Sequence, residues 1–476
     1  MIRWKAILAV LAMVLMLPSL SFVAIAAEAP NDPFFSSKGS WDQPHDDQWA
    51  LKRVGFTAGN DSAWGLVPDD AKPVIVAVID TGLDWNHKDF AWENLWRNPS
   101  EVPDNGKDDD GNGYIDDIVG WNFFANNNSP WDHDGHGTFV SGLIAATKGN
   151  NTGIAGINPN AKIMALKAIN NFGHTRASFI SKALVYAADH GARVANLSVG
   201  GAEITDIEKA AIDYAVDKGV VIVVAAGNQG KDLTDFGPAS SDKVITVAAT
   251  GTDDKHTKFS NWGAPVDIAA PGEDILSLRA RRTDTISGVP ELEYELESAF
   301  VGDDRRYYRA SGTSFSAPLV TGIASLLLSK NPTLTADQVK RMLLQSARDI
   351  DEPGRDQFSG HGLVDARAAL KADPEFYISA EILGLEIASE GGKPALKVFG
   401  TVQSNNLDER WLEIGAGDKP TSWRKVTPAT SDTVDRDLLG TIPAAEFQGD
   451  PVWMIKVRVQ HKNGTQREHR YRLQLG

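Results

Sequence analysis

The stretch VIVAVIDTG at residues 74–82 decides the fold class of this 476-residue chain. Its first six residues form an unbroken apolar and mostly β-branched run, which is typical of a strand buried on both faces of a parallel sheet. Asp80 follows directly, so a carboxylate stands at the carboxyl end of the predicted strand. Ligand and catalytic groups of open α/β sheets gather at that edge. Asp80 is therefore either an ordinary turn residue or part of a site.

A histidine and a serine stand at comparable points further along the chain. His136 lies in DGHGTFVSG at residues 134–142, ahead of an apolar run whose spacing predicts a helix. Ser314 lies in SGTSFSAPLVTG at residues 311–322, where a glycine turn enters another helix-like run. Taken singly, each is also a common turn or capping residue. Together with Asp80 they supply an acid, a base and a nucleophile, and a helix N-terminus beside the serine can hold an oxyanion.

With VVAAGNQG at residues 223–230, these motifs resemble those of the subtilisin-like serine proteases. The resemblance implies that Ser314 is the nucleophile, that His136 is its base and that Asp80 orients the histidine. It also implies that Asn228 and the Ser314 backbone N–H form the oxyanion hole. We therefore expect peptide-bond hydrolysis through an acyl-enzyme.

A substrate-binding edge is predicted where a strand ends in ANLSVGG, because the two glycines leave a backbone edge uncovered. By the resemblance, Ser198, Val199 and Gly200 on one side and Gly173 on the other hold an extended peptide as added strands. The segment around Gly173 departs from the glycine-rich form usual in the family, so we expect narrower or more polar outer subsites. Phe139 stands where a histidine is usual, and we expect it to affect packing rather than the proton relay.

A second strong pattern is the acidic loop DNGKDDDGNGYIDD at residues 104–117. Its centre has the D-x-D-x-N-G spacing in which oxygen atoms at alternate positions converge on one hard cation. Val119 stands where a full EF-hand loop carries Glu, so the loop is partial, and a solvated acidic turn is the alternative. We expect a structural Ca²⁺ bound by Asp108, Asp110, Asn112, the carbonyl of Tyr114, and Asp116 or Asp117.

The amino-terminal residues predict export. Arg3 and Lys5 precede an apolar run that is broken at Pro18, and AIA at residues 24–26 offers a small-residue cleavage site. Residues 1–26 are therefore predicted to be a signal peptide, with a membrane anchor as the weaker alternative. No later apolar stretch approaches the roughly 20 residues needed to span a bilayer. We expect a secreted, extracellular protein without a transmembrane segment after signal removal; the periplasm is the alternative.

Composition narrows the class of protein further. The chain has no cysteine, so no disulfide framework supports the fold, and calcium is expected to serve that purpose instead. The net charge of −16 argues against nucleic-acid binding. We expect protein or peptide substrates and a monomeric chain. The short stretch between the predicted signal and residue 74 leads us to expect no folding pro-domain.

Two domains are predicted. Residues 27–373 would form a doubly wound α/β catalytic domain with a charged insertion at 279–309. We expect this insertion to be a solvated excursion near the active-site rim; the alternatives are that it narrows the cleft or is a cut site for self-processing. Helical signals run from Thr205 to Lys218 and from Thr335 to Ala347, and in the second Thr335 and Gln338 have capping-box spacing. Residues 375–476 show short alternating runs between turns, which predicts an all-β sandwich resembling immunoglobulin-like modules. That module would attach the protein to a substrate or cell surface, or else act as a spacer.

The sequence thus predicts an exported, calcium-binding serine endopeptidase. Two alternatives stay open: a surface-attached binding protein with a vestigial protease domain, and an esterase or acyl transferase that uses the same triad. The intact set of Asp80, His136 and Ser314 argues against the first alternative. The peptide-pairing edge at Gly200 argues against the second.

Overall fold

The computed structural model of the chain describes residues 29–59, 61–201, 203–281 and 299–475. The predicted signal peptide lies outside these residues, and so does most of the predicted insertion at 279–309. Within the described ranges, no helix combines the length and apolarity needed to cross a membrane.

Seven parallel strands form the central sheet, in the order β2-β3-β1-β4-β5-β6-β7. Their bounds are β1 (Val74–Asp80), β2 (Gly120–Asn122), β3 (Ala161–Lys167), β4 (Val194–Leu197), β5 (Val221–Ala225), β6 (Ile245–Thr250) and β7 (Ile268–Pro271). Strand β1 lies in the interior of the sheet between β3 and β4, which is why its sequence is apolar on both faces. The predicted parallel sheet is confirmed.

Helices cover both faces of this sheet. Alternate residues of β1 belong to the apolar core on one face or to the apolar core on the other. Val76 and Val78 belong to one apolar core, and Ala77 and Ile79 belong to a second core on the opposite face. The first core contains α3 and α6, and the second contains α4 and α5. The α-helices are α1 (Pro33–Ser36), α2 (Trp49–Arg53), α3 (His136–Ala145), α4 (Ala177–Asp189), α5 (Asp206–Asp217), α6 (Thr313–Lys330), α7 (Ala336–Gln345) and α8 (Ala366–Lys371).

The capping box predicted at the start of α7 is confirmed, and a second capping box begins α5. At α5, the Thr205 hydroxyl accepts the Glu208 N–H, and the Glu208 carboxylate accepts the Thr205 N–H. At α7, Thr335 and Gln338 make the same reciprocal pair. Each box satisfies backbone N–H groups that would otherwise lack a partner at the start of the helix.

The described ends of the predicted insertion include short strands, and residues 282–298 lie outside the described residues, so the solvated excursion stays a prediction. A small antiparallel sheet has the order β8-β10-β9, with β8 (Ile275–Leu278), β9 (Phe300–Val301) and β10 (Tyr307–Ala310). Tyr307 is 2% exposed, and it belongs to the same core as α3 and α6. The aromatic and apolar residues of β9 and β10 outweigh the charged residues around them, because burial of those side chains stabilises the strand pairing.

The carboxyl-terminal part of the chain is all-β, as predicted. Two antiparallel sheets have the orders β11-β12-β15 and β14-β13-β16-β17. One shared core contains Val398 and Ile442 from the first sheet and Leu412 and Ile455 from the second, which is the layering of a sandwich. The strands are β11 (Ile378–Glu390), β12 (Lys393–Ser404), β13 (Leu407–Ala416), β14 (Arg424–Lys425), β15 (Val434–Pro443), β16 (Val452–His461) and β17 (Gln466–Gln474).

Candidate active site at the carboxyl edge of the sheet

Asp80 and His136 are in contact at the carboxyl edge of the central sheet. Asp80 is the last residue of β1 and is fully buried, and His136 is the first residue of α3. The Nδ1 atom of His136 lies 2.8 Å from Oδ1 and 3.0 Å from Oδ2 of Asp80. A proton on Nδ1 can therefore be donated to the carboxylate, and Nε2 is left as the ring nitrogen that can accept another proton.

The electrostatic surroundings favour a charged His136. Burial lowers the pKa of the imidazole, but the Asp80 carboxylate outweighs burial through its charge and its hydrogen bond. The pKa of His136 is therefore raised above the ordinary value of 6.5. Asp134 adds to this effect through its negative charge, and its carboxylate also accepts the His136 backbone N–H at 3.1 Å.

The loop that carries the histidine is held by a buried carboxylate that the sequence interpretation did not single out. Asp132 accepts hydrogen bonds from the Thr81 hydroxyl at 3.0 Å and from the Thr138 amide at 2.9 Å. Gly137 allows the close approach of this loop to the end of β1, since a Cβ atom there would lie 2.2 Å from the carbonyl oxygen of Gly82. The density of acidic residues in DHDGHG was the available signal.

Ser314 is the second residue of α6, so it stands at a helix entrance as predicted. Its hydroxyl donates to the carbonyl oxygen of Ser198 at 3.4 Å. Among the described residues, no hydrogen bond joins Ser314 to His136, although both line the same cleft. Bonds between a nucleophile and its base are often loose before substrate binds, and rotation about the Ser314 Cα–Cβ bond changes where the hydroxyl points.

The side-chain amide of Asn228 is held in place through its oxygen atom. Its Oδ1 atom accepts from the backbone N–H and from the hydroxyl of Thr313, both at 2.9 Å. The Thr313 hydroxyl in turn accepts the Gly227 N–H at 3.0 Å. The Nδ2 group of Asn228 is therefore the donating end of the amide, and Asn228 lines the cleft together with Ser314. Sequence interpretation did not identify Thr313 as the residue that orients this amide.

The cleft itself has a volume of about 380 Å³. All four residues predicted to bind substrate line it, together with the histidine, the serine and the asparagine: Gly173, Ser198, Val199, Gly200, His136, Ser314 and Asn228. The substrate-binding edge is anchored to α6, because the Ser198 hydroxyl donates to the Ser314 carbonyl at 2.9 Å. Phe139 is fully buried with its ring 4.3 Å from that of Phe315, which is the packing role predicted for it.

An acidic group that could hold a metal ion lies apart from the cleft. Glu101, Asp110 and Asp117 each offer an oxygen atom, and these atoms lie within 4.8 Å of one another. Asp117 is fully buried, and its Oδ2 atom accepts from the Tyr186 hydroxyl at 2.5 Å and from Asn112 Nδ2 at 3.0 Å. Glu101 was missed because it precedes the loop in which the regular spacing occurs.

The structure does not bring every predicted metal ligand into this acidic group. The Asp108 carboxylate accepts from the backbone N–H groups of Gly111, Asn112 and Gly113, and it lies outside the group. The ring of Tyr114 packs edge-on against that of Tyr186 at 5.1 Å. The roles of Asp108 and of the Tyr114 carbonyl as ligands stay predictions.

Comparison with known proteins gives a consistent result. Residues 71–362 match the family model described as the subtilase family, Peptidase_S8. The thermophilic serine proteinase of Bacillus sp. (strain AK1) is 37% identical over 62% of this chain and 61% of its own length. Thermitase of Thermoactinomyces vulgaris is 32% identical over 72% of this chain and 99% of its own. Fervidolysin of Fervidobacterium pennivorans is 33% identical over 68% of this chain and 43% of its own length.

Solved structures share the fold of the same region. A lanthipeptide protease superimposes with a TM-score of 0.56 at 24% identity, over 72% of this chain and 98% of that chain. A protease from Pseudoalteromonas arctica does so with a TM-score of 0.52 at 28% identity, over 72% of this chain and 99% of that chain. The match spans less than two thirds of the Bacillus proteinase and of fervidolysin, but nearly all of thermitase.

Proposed function

The chain belongs to the subtilase family, and from this premise we propose that it is a serine endopeptidase that hydrolyses peptide bonds through an acyl-enzyme. The observation that carries the proposal is the contact of His136 Nδ1 with the buried Asp80 carboxylate, at 2.8 and 3.0 Å. The cleft beside this pair also contains Ser314 and Asn228. These four residues are the types needed for base, orienting acid, nucleophile and oxyanion donor.

The proposed reaction has two matching halves. In the first, Ser314 Oγ forms a bond to the substrate carbonyl carbon while its proton passes to His136 Nε2. His136 then gives this proton to the departing amine as the peptide C–N bond breaks. In the second half, a water oxygen attacks the acyl carbon while His136 Nε2 accepts one of its protons. The bond to Ser314 Oγ then breaks as His136 returns this proton to Oγ, and the carboxylic acid product is released. Asp80 keeps the imidazole in the required tautomer and stabilises its charged form.

Charge on the substrate oxygen would be stabilised by two donors. The Nδ2 group of Asn228 is one, because its Oδ1 atom is already engaged by Thr313. The backbone N–H of Ser314, in the first turn of α6, is the second. Donors held in place before the reaction need no reorganisation when the negative charge develops, which is the source of their catalytic effect.

Protein or peptide substrates fit the cleft better than small esters do. Ser198, Val199 and Gly200 continue from the end of β4 and line the cleft on one side, and Gly173 lines it on the other. Such edges can pair with the main chain of an extended peptide and accept many sequences. This supports proteolysis over the esterase alternative.

Calcium binding is part of the proposal. Glu101, Asp110 and Asp117 would hold the ion, since carboxylate oxygens are the ligands that Ca²⁺ prefers. Asn98 donates to Asp110 at 3.0 Å and to Asp117 at 2.8 Å, which holds the two carboxylates side by side. Three acidic groups at this separation repel one another, and a divalent cation would remove that repulsion. When bound, the ion would stabilise the fold and take no part in catalysis.

Export and attachment complete the proposed function. Export rests on the charged, apolar and small-residue pattern of residues 1–26. Attachment to a cell surface or a substrate through the carboxyl-terminal sheets, and a monomeric state, remain predictions from the sequence.

The proposed activity is tested by the hydrolysis of unfolded casein with purified protein and its variants. Ser314→Ala and His136→Ala are each expected to lower the rate by about 10⁴-fold or more. Ser316→Ala is the matched control, because this serine lies on the same helix but donates to the Ala270 and Pro271 carbonyls and does not line the cleft. Retention of hydrolysis by Ser314→Ala would refute the proposed nucleophile.

A further inference from the structure

The cleft wall contains one aromatic ring that the catalytic residues do not use. Phe236 lies on the loop between β5 and β6 and lines the cleft together with Asn228 and Ser314. The residue is only 4% exposed, so Phe236 contributes to the cleft wall while most of its surface is buried. A buried ring beside the nucleophile limits the depth of the space into which a substrate side chain can extend.

Two glycines that line the cleft lie close to this ring. A Cβ atom built on Gly200 would lie 2.5 Å from Cε1 of Phe236, and one built on Gly227 would lie 2.8 Å from Cζ. Real side chains do not approach so closely, so both glycines are needed to leave room for the ring. Gly200 belongs to the predicted substrate edge, and Gly227 precedes Asn228. The ring edge therefore lies directly against both of these backbone segments of the cleft wall.

The ring is held in this position by its own loop. The Phe236 N–H donates to the Leu233 carbonyl at 2.9 Å, and the Phe236 carbonyl accepts the Ser240 N–H at 2.9 Å. The Gly201 N–H donates to the Gly237 carbonyl at 3.2 Å, which ties the loop to the substrate edge. Phe236 also belongs to the apolar core that contains Leu233. The backbone bonds fix the position of the Phe236 main chain, and withdrawal of the ring to admit a large substrate side chain would remove apolar surface from this core.

We propose that Phe236 forms the floor of the pocket for the substrate residue whose carbonyl is attacked, and that it restricts this residue to small side chains such as alanine, glycine and serine. The inference rests on the proposed function, because it assumes attack by Ser314 on a peptide held along Gly200. Beyond that function, the proposal specifies which peptide bonds are cleaved, namely those that follow a residue with a small side chain. Bulky aromatic or branched side chains at this position would collide with the ring and place the carbonyl out of reach.

The test uses tetrapeptide p-nitroanilides that differ only in the last residue, which is Ala, Leu or Phe. We expect kcat/KM of the wild-type protein for Ala to exceed that for Phe by about tenfold or more. Phe236→Gly should raise the Phe-to-Ala ratio by about tenfold or more, and Phe236→Leu should raise it less. Phe259→Leu is the matched control, since this buried phenylalanine lies outside the cleft lining and its replacement should leave the ratio unchanged.

The possible results separate this inference from the proposed function. Cleavage with a wild-type preference for Phe, or a ratio that Phe236→Leu and Phe236→Gly leave unchanged, overturns the pocket assignment alone. If Phe236→Gly fails to fold, the wild-type series and Phe236→Leu decide the question. If no peptide is cleaved and Ser314 does not react with a fluorophosphonate, the proposed function fails and the pocket assignment fails with it.

Discussion

Among individual side chains, His136 determines how activity should depend on pH. Its raised pKa means that the imidazole keeps its proton to a higher pH than an ordinary histidine would. Because only the neutral imidazole can accept the Ser314 proton, activity must fall as pH drops through that raised pKa. We expect the acidic limb of kcat/KM to have its midpoint above the ordinary histidine value of 6.5.

A variant of Asp134 tests the electrostatic origin of this limb. Burial raises the pKa of Asp134 to about 6, so the group is charged above that pH and attracts a proton to His136. Asp134→Asn removes the charge but keeps an oxygen that can accept the His136 N–H. The acidic limb should move to lower pH by about half a unit, whereas Asp217→Asn on the distant end of α5 should not move it. A limb that stays in place or moves upward would contradict the account.

The oxyanion donors make a second prediction about single residues. Asn228→Ala should lower kcat by about 10²–10³-fold with little change in KM, a magnitude measured in another subtilase. Thr313→Val removes the hydroxyl that orients the Asn228 amide, so a smaller loss of kcat is expected. Thr313→Ser keeps a hydroxyl at this position, so this variant should retain most of the wild-type kcat. A rise in KM at constant kcat would instead show that Asn228 acts in ground-state binding.

The sequence alone could identify candidate site residues that adjoin a recognisable local pattern. Asp80 follows an apolar strand, and Ser314 follows a glycine turn, so both positions could be read locally. Phe236 could not be found this way, because its importance arises from contact with Gly200, which follows β4, and with Gly227, nine residues earlier on its own loop. Glu101 was missed for the same reason, since folding brings it to Asp110 and Asp117, whereas Asp132 stood in a visibly acidic segment whose signal was not used.

Helices and strands with a clear local sequence pattern could be predicted from the sequence. Apolar runs predicted the parallel sheet, a helical signal predicted α5, and a capping box predicted the start of α7. Strands β9 and β10 were missed, because two-residue and four-residue strands flanked by charged residues carry little pattern of their own. Their pairing is decided by burial against the core that contains α3 and α6.

The acidic loop supports a prediction about calcium. We expect equilibrium dialysis to show one bound Ca²⁺ fewer per chain in both Glu101→Gln and Asp117→Asn than in the wild-type protein. Ligand binding to the folded state adds about 2.7 kcal/mol to stability at 100 times Kd, so these variants should also gain less in Tm from calcium. Asp109→Asn is the control, because this carboxylate is exposed and lies outside the acidic group. Unchanged calcium stoichiometry in Glu101→Gln would refute the assignment.

In the molecule as a whole, the all-β part contacts the α/β domain through defined polar contacts. The Arg355 guanidinium pairs with Glu381 of β11 at 2.6 Å. Arg467 of β17 donates to the Gln345 carbonyl at the end of α7 at 2.8 Å. His361 lies beside these contacts and lines a small cavity between the two parts of the chain. The carboxyl-terminal sheets are therefore bound to the catalytic domain rather than merely tethered to it.

This junction makes stability depend on pH in a specific direction. Loss of hydration, followed by the charges of Arg355 and Arg467, lowers the pKa of His361 from 6.5 to about 3. Between those pH values the unfolded chain binds a proton that the folded chain does not, so the free energy of unfolding falls as pH decreases. Relative to His361→Gln, the wild-type protein should lose about 1–3 kcal/mol between pH 7.5 and 4.5.

The pH dependence attributed to His361 has a matched control and a result that would contradict it. His174→Gln replaces an exposed histidine, so its free energy of unfolding should follow that of the wild-type protein across the pH range. Denaturant titrations at several pH values measure all three proteins. A constant difference between wild type and His361→Gln would show that this histidine has no shifted pKa in the folded state.

The most direct test of the central claim is the reaction of the purified protein with a fluorophosphonate, followed by mass-spectrometric identification of the modified residue. Only a serine activated by a neighbouring base reacts readily with such reagents. The account predicts stoichiometric modification of Ser314 that is lost in Ser314→Ala and greatly slowed in His136→Ala. Modification of another residue, or a folded protein that stays unmodified, would contradict the assignment of Asp80, His136 and Ser314 as a catalytic triad.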